Sequence, residues 1–359
     1  MSDTRSPWPL PERPSLEQLR KQAKELRDSE HHPTLTSAQL ALARHYGFAS
    51  WPKLKLAVEM IALREAIDTG DDKRARELLD ESPMLASSTF TDGATPLHEA
   101  AGADRVEIVE SLVKHGAAFD PRFGDSAHSA LSWALTCEAF GAARKLVELG
   151  SEPDLFCAAG LGDLDRVRTF WNDGQLRASP SKTGSSRTTE SGDPLPRPPK
   201  RDIDQVSDAL YLAARLGRTE VCRWLLDHGA DPNWRGYCGA TPLAWAEFSG
   251  NAESCALLRE RGASDDALDF RYHATPRVFP VIVFANWGFG RRLATRLLVD
   301  RSLVEARCGI GTPLHAAAAG GQMECTRVLL ALGADKSALD PEGRTPADVA
   351  ATKEVAALL

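Results

Sequence analysis

The chain has 359 residues, 43% of them hydrophobic and 26% charged, with a formal net charge of −7. That balance gives no whole-chain case for binding nucleic acid or an anionic membrane. The most apolar run, VFPVIVFANW (278–287), is interrupted by Pro280 and falls well short of the roughly 18 or more residues of a membrane helix, and the first fourteen residues lack the apolar core of a signal peptide, so the cytoplasm is the expected address.

Three helices are predicted before residue 70. Ser15 and Gln18 form a capping box for the first, with Leu16, Leu19, Ala23 and Leu26 along one face. Thr36 and Gln39 are read as a second capping box, Leu35 as a staple onto Leu40, and Gly47 as the stop. Ser50 opens a third helix that runs on through LKLAVEMIALREAIDTG. In the junction RHYGFASWPKLK (44–55), Tyr46, Phe48 and Trp51 are placed to pin two helices onto the third. A DNA-reading helix-turn-helix is the competing interpretation, since residues 11–55 hold eight basic and five acidic residues. Such readers begin their second helix with polar and charged residues, whereas this one begins Trp51-Pro52, which disfavours nucleic acid.

A repeat follows. GATPLHEAA (93–101), GATPLAWAE (239–247), GTPLHAAAAGG (311–321) and GRTPADVAA (343–351) share one pattern, and Thr312 and Thr345 lie 33 apart. Glycines closing leucine-rich helices mark the same period: Gly116 and Gly150 are 34 apart, Gly229 and Gly262 are 33 apart. Anchored at the threonine position, units are read at Ile61, Thr95, Ser129, Pro153, Asp208, Thr241, Pro280, Thr312 and Thr345. The interval of 24 from Ser129 to Pro153 leaves no room for a connecting hairpin, and the interval of 55 from Pro153 to Asp208 holds an insertion. In each unit Thr caps a helix that Pro can begin, small residues let helices approach, and a left-handed Gly ends the second helix. One such unit cannot bury its own apolar face, so units must stack.

The T-P-L-H motif at this period resembles the ankyrin repeat family. The expected fold is all-α: a solenoid of helix-turn-helix units with short hairpin fingers, preceded by a small helical module. The expected layout is residues 1–60 as N-terminal module or cap, 61–176 as a first block, 177–204 as an insertion, and 205–359 as a second block with a C-terminal cap. LRKQAKEL, AQLALARHYGF and SWPKLK, over about residues 13–60, are similar to a short helical segment that bacterial proteins carry ahead of such repeats. The insertion, rich in Ser, Thr, Gly and Pro with six basic and two acidic residues over 177–201, is predicted to be a disordered loop. Its Pro196, Pro199 and Arg201 have a P-x-x-P-x-R shape, read as a solvated linker.

No catalytic signature emerges. His98 and His315 fall in the T-P-L-H motif, where the resemblance implies that they brace the turn; His115 and His228 precede helix-ending glycines. Seven cysteines form no C-x-x-C and are read as small core residues. WGFGRR (287–292) lacks the third glycine of a nucleotide loop. No cofactor, metal or membrane is expected, and an enzyme site across the groove is the third reading. The resemblance implies a protein partner on the concave face and fingertips. By position that selects Trp234, Arg235 and Tyr237 on one finger, Arg122 and Phe123 on another, and Arg215, Leu216, Phe248 and Ser249 on the adjoining first helices. Unit seven, with Val281, Ile282, Val283 and Phe284 at its start, is expected to be deeply buried, while Arg291, Arg292 and Arg296 form a basic stripe.

Overall fold

The computed structural model describes residues 9–11, 13–29, 32–122 and 127–359. The chain divides into two compact units, one ending at Glu152 and the other beginning at Pro153.

In the first unit, α1 (Leu16–Ser29), α2 (Leu35–His45) and the front of α3 (Trp51–Thr69) pack together. Leu19, Ala23, Leu42, Ala43, Leu54 and Val58 form their core, and Tyr46, Phe48 and Trp51 pack against it as expected. Ser50 caps α3, Pro52 fits its first turn, and Gly70 ends it at φ 71°. One helix therefore closes the cap and opens the first repeat. The cap of α2 differs from the sequence reading. Thr34, extended after Pro33, accepts from the Ser37 amide at 3.1 Å, and the Ser37 hydroxyl accepts from the Thr34 amide at 3.3 Å. Thr36 lies inside the helix, because Thr34 has already captured the free amide group. The rest of α3 pairs with α4 (Asp72–Glu81), followed by α5 (Pro96–Gly102) with α6 (Val106–Lys114) and α7 (Ala130–Thr136) with α8 (Phe140–Glu148).

The second unit stacks α9 (Leu155–Leu161) with α10 (Leu164–Arg168), α11 (Asp202–Arg215) with α12 (Thr219–Asp227), and α13 (Pro242–Ser249) with α14 (Ala252–Glu260). Then come α15 (Phe279–Trp287) with α16 (Gly290–Val299), α17 (Pro313–Ala319) with α18 (Met323–Ala331), and the short α19 (Lys353–Ala356). First helices pack on first helices in the order α9, α11, α13, α15, α17. A two-stranded hairpin, β1 (Trp171–Asn172) against β2 (Gln175–Leu176), sets the Trp171 ring edge-on to Trp224 at 4.5 Å.

Two histidines tie repeats together. The His98 ring nitrogens contact Thr95 Oγ1 at 2.7 Å and the His128 carbonyl oxygen at 2.9 Å; those of His315 contact Thr312 Oγ1 at 2.9 Å and the Arg344 carbonyl oxygen at 3.0 Å. A carbonyl can only accept, so Nε2 carries the proton and Nδ1 accepts from threonine. Each ring caps its own helix and holds the next finger.

Several expectations shift. Asp154, not Pro153, caps α9 by accepting from the Cys157 amide at 2.8 Å. Unit seven is capped at Val278, two residues before the expected Pro280, because the Thr275 carbonyl already accepts from the Val278 and Phe279 amides at 2.9 and 2.8 Å and starts the turn there. Its Val281, Ile282, Val283 and Phe284 are buried as expected. The first helix of the last unit is reduced to turns after Thr345, whose hydroxyl donates to Asp348 at 2.7 Å. The break between compact units falls at 152/153, near the short 24-residue interval, and not at 176/177, because α9 packs directly on α11 across the insertion.

The insertion itself is not the loose loop its composition suggests. Asp154 Oδ2 accepts from the Lys182 and Thr183 amides at 2.7 and 3.0 Å and from the Thr183 hydroxyl at 2.9 Å. Gln205 accepts from the Ser181 amide and donates to the Pro199 carbonyl, both at 3.0 Å. Hydroxyls and amides meeting carboxylates supply charge-assisted bonds where apolar residues are scarce. Residues 202–204 already belong to α11.

Candidate partner-binding face

The finger between α12 and α13 is built by short-range bonds. Asp231 accepts from the Asn233 amide at 2.8 Å, and Asn233 bonds forward to Gly262 and Ser264 at 3.0 and 2.8 Å. Gly236 lies against the Tyr211 ring where a Cβ would not fit, and Gly239, at φ 66°, lies equally close to Phe270. These contacts aim three of the expected site residues. Trp234 donates its indole N–H to Asp208 Oδ1 at 3.3 Å, and the Arg187 guanidinium covers its ring at 4.7 Å. Arg235 donates to the carbonyls of Gly239 and Leu268 at 3.0 and 2.6 Å and lies 5.3 Å from the Phe270 ring. Tyr237 is half-buried, its ring 6.2 Å from both Trp245 and Trp287.

The expected first-helix residues divide by burial. Arg215, at 8% exposure, covers the Trp245 ring at 4.5 Å and donates to Tyr211 Oη at 3.4 Å. Leu216 and Phe248 are exposed by only 9% and 4% and serve packing. Ser249 is exposed, its hydroxyl donating to the Ala246 carbonyl at 3.0 Å. Arg122 is half-buried and donates to the Ala127 carbonyl at 3.4 Å; Phe123 lies outside the described residues.

Sequence reasoning missed the far end of this face. Trp287 donates to Tyr272 Oη at 2.9 Å and remains half-buried, while Phe289 is 40% exposed with Arg292 5.7 Å from its ring. The signal was present in WGFGRR, which drew attention for its glycines and its arginines but not for its Trp and Phe. The result is a chain of rings from Tyr237 through Trp245 and Trp287 to Phe289, with centroid separations of 6.2, 6.4 and 6.2 Å. Arg291 and Arg292 are exposed beside it, and Arg296 donates to Glu247 at 2.8 Å, so the expected basic stripe is partly neutralised.

The electrostatics beneath the face are those of a packed interior. Burial pushes the Asp208 carboxyl above its ordinary range despite donors from Ser185 and Trp234. It pushes the Tyr211 phenol up to about 12, the Cys222 and Cys255 thiols up to about 12, and Cys238 up to about 11. These thiols stay protonated near neutrality and are poor nucleophiles. Asp269, also raised by burial, is spent on the backbone amides of Arg271, Tyr272 and Ala274 at 2.7–2.9 Å. Among the described residues no three His, Cys, Asp or Glu side chains gather as metal ligands, and no helix is long and apolar enough to cross a membrane. Two clefts stand out. One of about 290 Å³ separates Ser186, Thr188 and Glu190 from Tyr237, Phe270 and Arg271. The other, about 880 Å³ in the first unit, runs along α3 beside Leu10, Phe48, Met60, Ile61 and Phe90.

Residues 60–169 and 196–269 match a family model described as ankyrin repeats in three copies, and residues 311–341 match the single ankyrin repeat. The chain belongs to the ankyrin repeat family. Among curated proteins it is 31% identical over 209 residues to the E3 ubiquitin-protein ligase XB3 of Oryza sativa subsp. japonica, covering 53% of this chain and 40% of that one. It is 30% identical over 156 residues to the B-cell lymphoma 3 protein homolog of Mus musculus, covering 42% and 34%. A third relative, the inactive serine/threonine-protein kinase TEX14 of Bos taurus, is 43% identical over 65 residues, covering 18% and 4%. The chain thus spans less than half the length of these ankyrin relatives, which come from a plant and from mammals.

Proposed function

We propose that this ankyrin array is a non-catalytic scaffold that binds a protein partner through the fingers and first-helix face of its second unit. The carrying observation is the row of rings that opens to solvent at Tyr237, Trp287 and Phe289 beside Arg292. Aromatic and arginine side chains in that arrangement are the groups that dominate interface energy. Of the residues chosen from sequence, Tyr237, Trp234, Arg235 and Ser249 form the accessible part of the proposed surface, while Arg215, Leu216 and Phe248 support it from below. Arg122 offers a further contact on the first unit.

Affinity purification of the full chain, repeated with Tyr237→Ala, Phe289→Ala and Arg292→Ala, tests this reading. A specific partner should lose about 2 kcal/mol, roughly 30-fold in affinity, with either aromatic change. Leu298→Ala on the outward side of α16, where Leu298 is exposed, should leave binding unchanged. Equal retention of every partner by all four variants would contradict the proposed face.

A further inference from the structure

The insertion is fastened to the array by polar contacts, with no member of its 177–204 segment in the hydrophobic core cluster of repeats four to six. Its central triplet makes one compact set of bonds. Ser185 donates its hydroxyl to Asp208 Oδ1 and its backbone amide to Oδ2, the latter at 2.8 Å. Two residues on, Arg187 lies over the Trp234 ring at 4.7 Å and donates to the Pro196 carbonyl at 3.2 Å. Trp234 completes the set by donating to the same Asp208 at 3.3 Å. Gly184, just before the triplet, leaves no room for a side chain: a Cβ there would come within 2.7 Å of Asp208 Oδ2 and 3.3 Å of Pro199. Beyond the triplet the fit loosens, leaving the cleft of about 290 Å³ between the turn at Thr188–Gly192 and the fingers at Tyr237 and Phe270.

Asp208 is a buried carboxylate held by a hydroxyl, an amide and an indole, with a guanidinium from the insertion close by. A buried carboxylate stripped of such partners is costly, so this position selects for whatever restores them. The array contributes the acceptor and the aromatic plate; the insertion contributes the hydroxyl and the cation. That division is the chemistry of a binding site with its ligand in place.

We propose that Asp208 and Trp234 form a recognition site for a Gly-Ser-x-Arg peptide, that Gly184–Arg187 fills it in cis, and that a partner segment bearing the same pattern exchanges with it. This rests on the scaffold reading above and names the partner's chemistry. Exchange would also uncover Tyr237 and the cleft beside it, coupling peptide capture to the opening of the wider face.

The test uses the full chain and a labelled peptide of sequence SKTGSSRTTES, corresponding to residues 181–191. Wild type, with the site filled, should bind it weakly. The Ser185→Ala, Arg187→Ala double variant should bind it at least ten-fold more tightly, and adding Trp234→Ala should abolish the gain. Peptides with the arginine changed to Ala, or the glycine to Val, should not bind. A second arm needs only wild type: excess unlabelled peptide should speed tryptic cleavage after Arg187 several-fold by displacing the insertion. Equal affinity with and without the cis triplet, binding indifferent to Trp234, or cleavage unmoved by peptide would each overturn the proposal. If the double variant does not fold, the cleavage arm decides alone. A partner that still depends on Phe289 while ignoring the peptide would sink this inference and leave the scaffold reading standing.

Discussion

His98 shows how one side chain converts sequence into pH-dependent stability. Burial lowers its pKa from the ordinary 6.5, and its bonds to Thr95 and the His128 carbonyl require the neutral ring. The folded state therefore binds fewer protons than the unfolded state as the medium acidifies. The stability His98 contributes is fully present above the unfolded value of 6.5 and is lost progressively as pH falls below it toward the folded value. Urea midpoints measured between pH 8 and pH 5 should fall on the acid side. In His98→Gln that fall should shrink, while the variant loses about 1–3 kcal/mol at pH 8 from unsatisfied partners. An unchanged pH slope would assign the titration elsewhere. This role was legible because the T-P-L-H motif names the ring and its turn together. The burial of Arg215, Leu216 and Phe248 was not, because position within a repeat gives direction but not how closely the next repeat approaches. Cysteine followed composition well: Cys157, Cys222, Cys238, Cys255 and Cys325 are buried, while Cys137 is exposed. Native alkylation with iodoacetamide should label Cys137 first.

At the scale of elements, several helix starts were readable from a threonine or serine ahead of a proline or a small residue, though Thr345-Pro346 yields only turns. Thr95, Thr241 and Ser129 all accept from the third amide of their helices. Where the cap was an aspartate or an apolar residue, as at Asp154 and Val278, the frame slipped by one or two residues. The insertion was misread for a different reason. Composition measures how much apolar surface a segment can bury, and this segment is held by Asp154, Gln205 and Asp208, which lie outside it. Fingers were anticipated as lengths of chain, yet their fit depends on neighbouring rings. Gly236→Ala drives a methyl into Tyr211, and the resulting overpacking should cost about 1–3 kcal/mol. Chemical denaturation measures that loss. A midpoint equal to wild type would mean that the finger moves aside freely.

Across each compact unit, stability is set by neighbours, since repeats within a unit pack on the one before and the one after. Leu54→Ala, which hollows the core shared by α1, α2 and α3, should cost about 2–5 kcal/mol locally. Hydrogen exchange should then show α1 and α2 losing protection first, with α13 and α17 unaffected; a uniform loss would contradict nearest-neighbour behaviour. The repeat count and the lid over α3 could be read from the sequence, because period and capping are local properties of the chain. The boundary at 152/153 could not, because it depends on α9 finding α11 across more than thirty intervening residues. That last contact has an evolutionary reading. Order in the array is preserved by surfaces and not by chain continuity, so the stretch between α10 and α11 is a port where foreign sequence can enter. Doubling its length would add only about 0.6 kcal/mol of closure entropy. New regulatory text can therefore be written there without redrafting the scaffold that reads it.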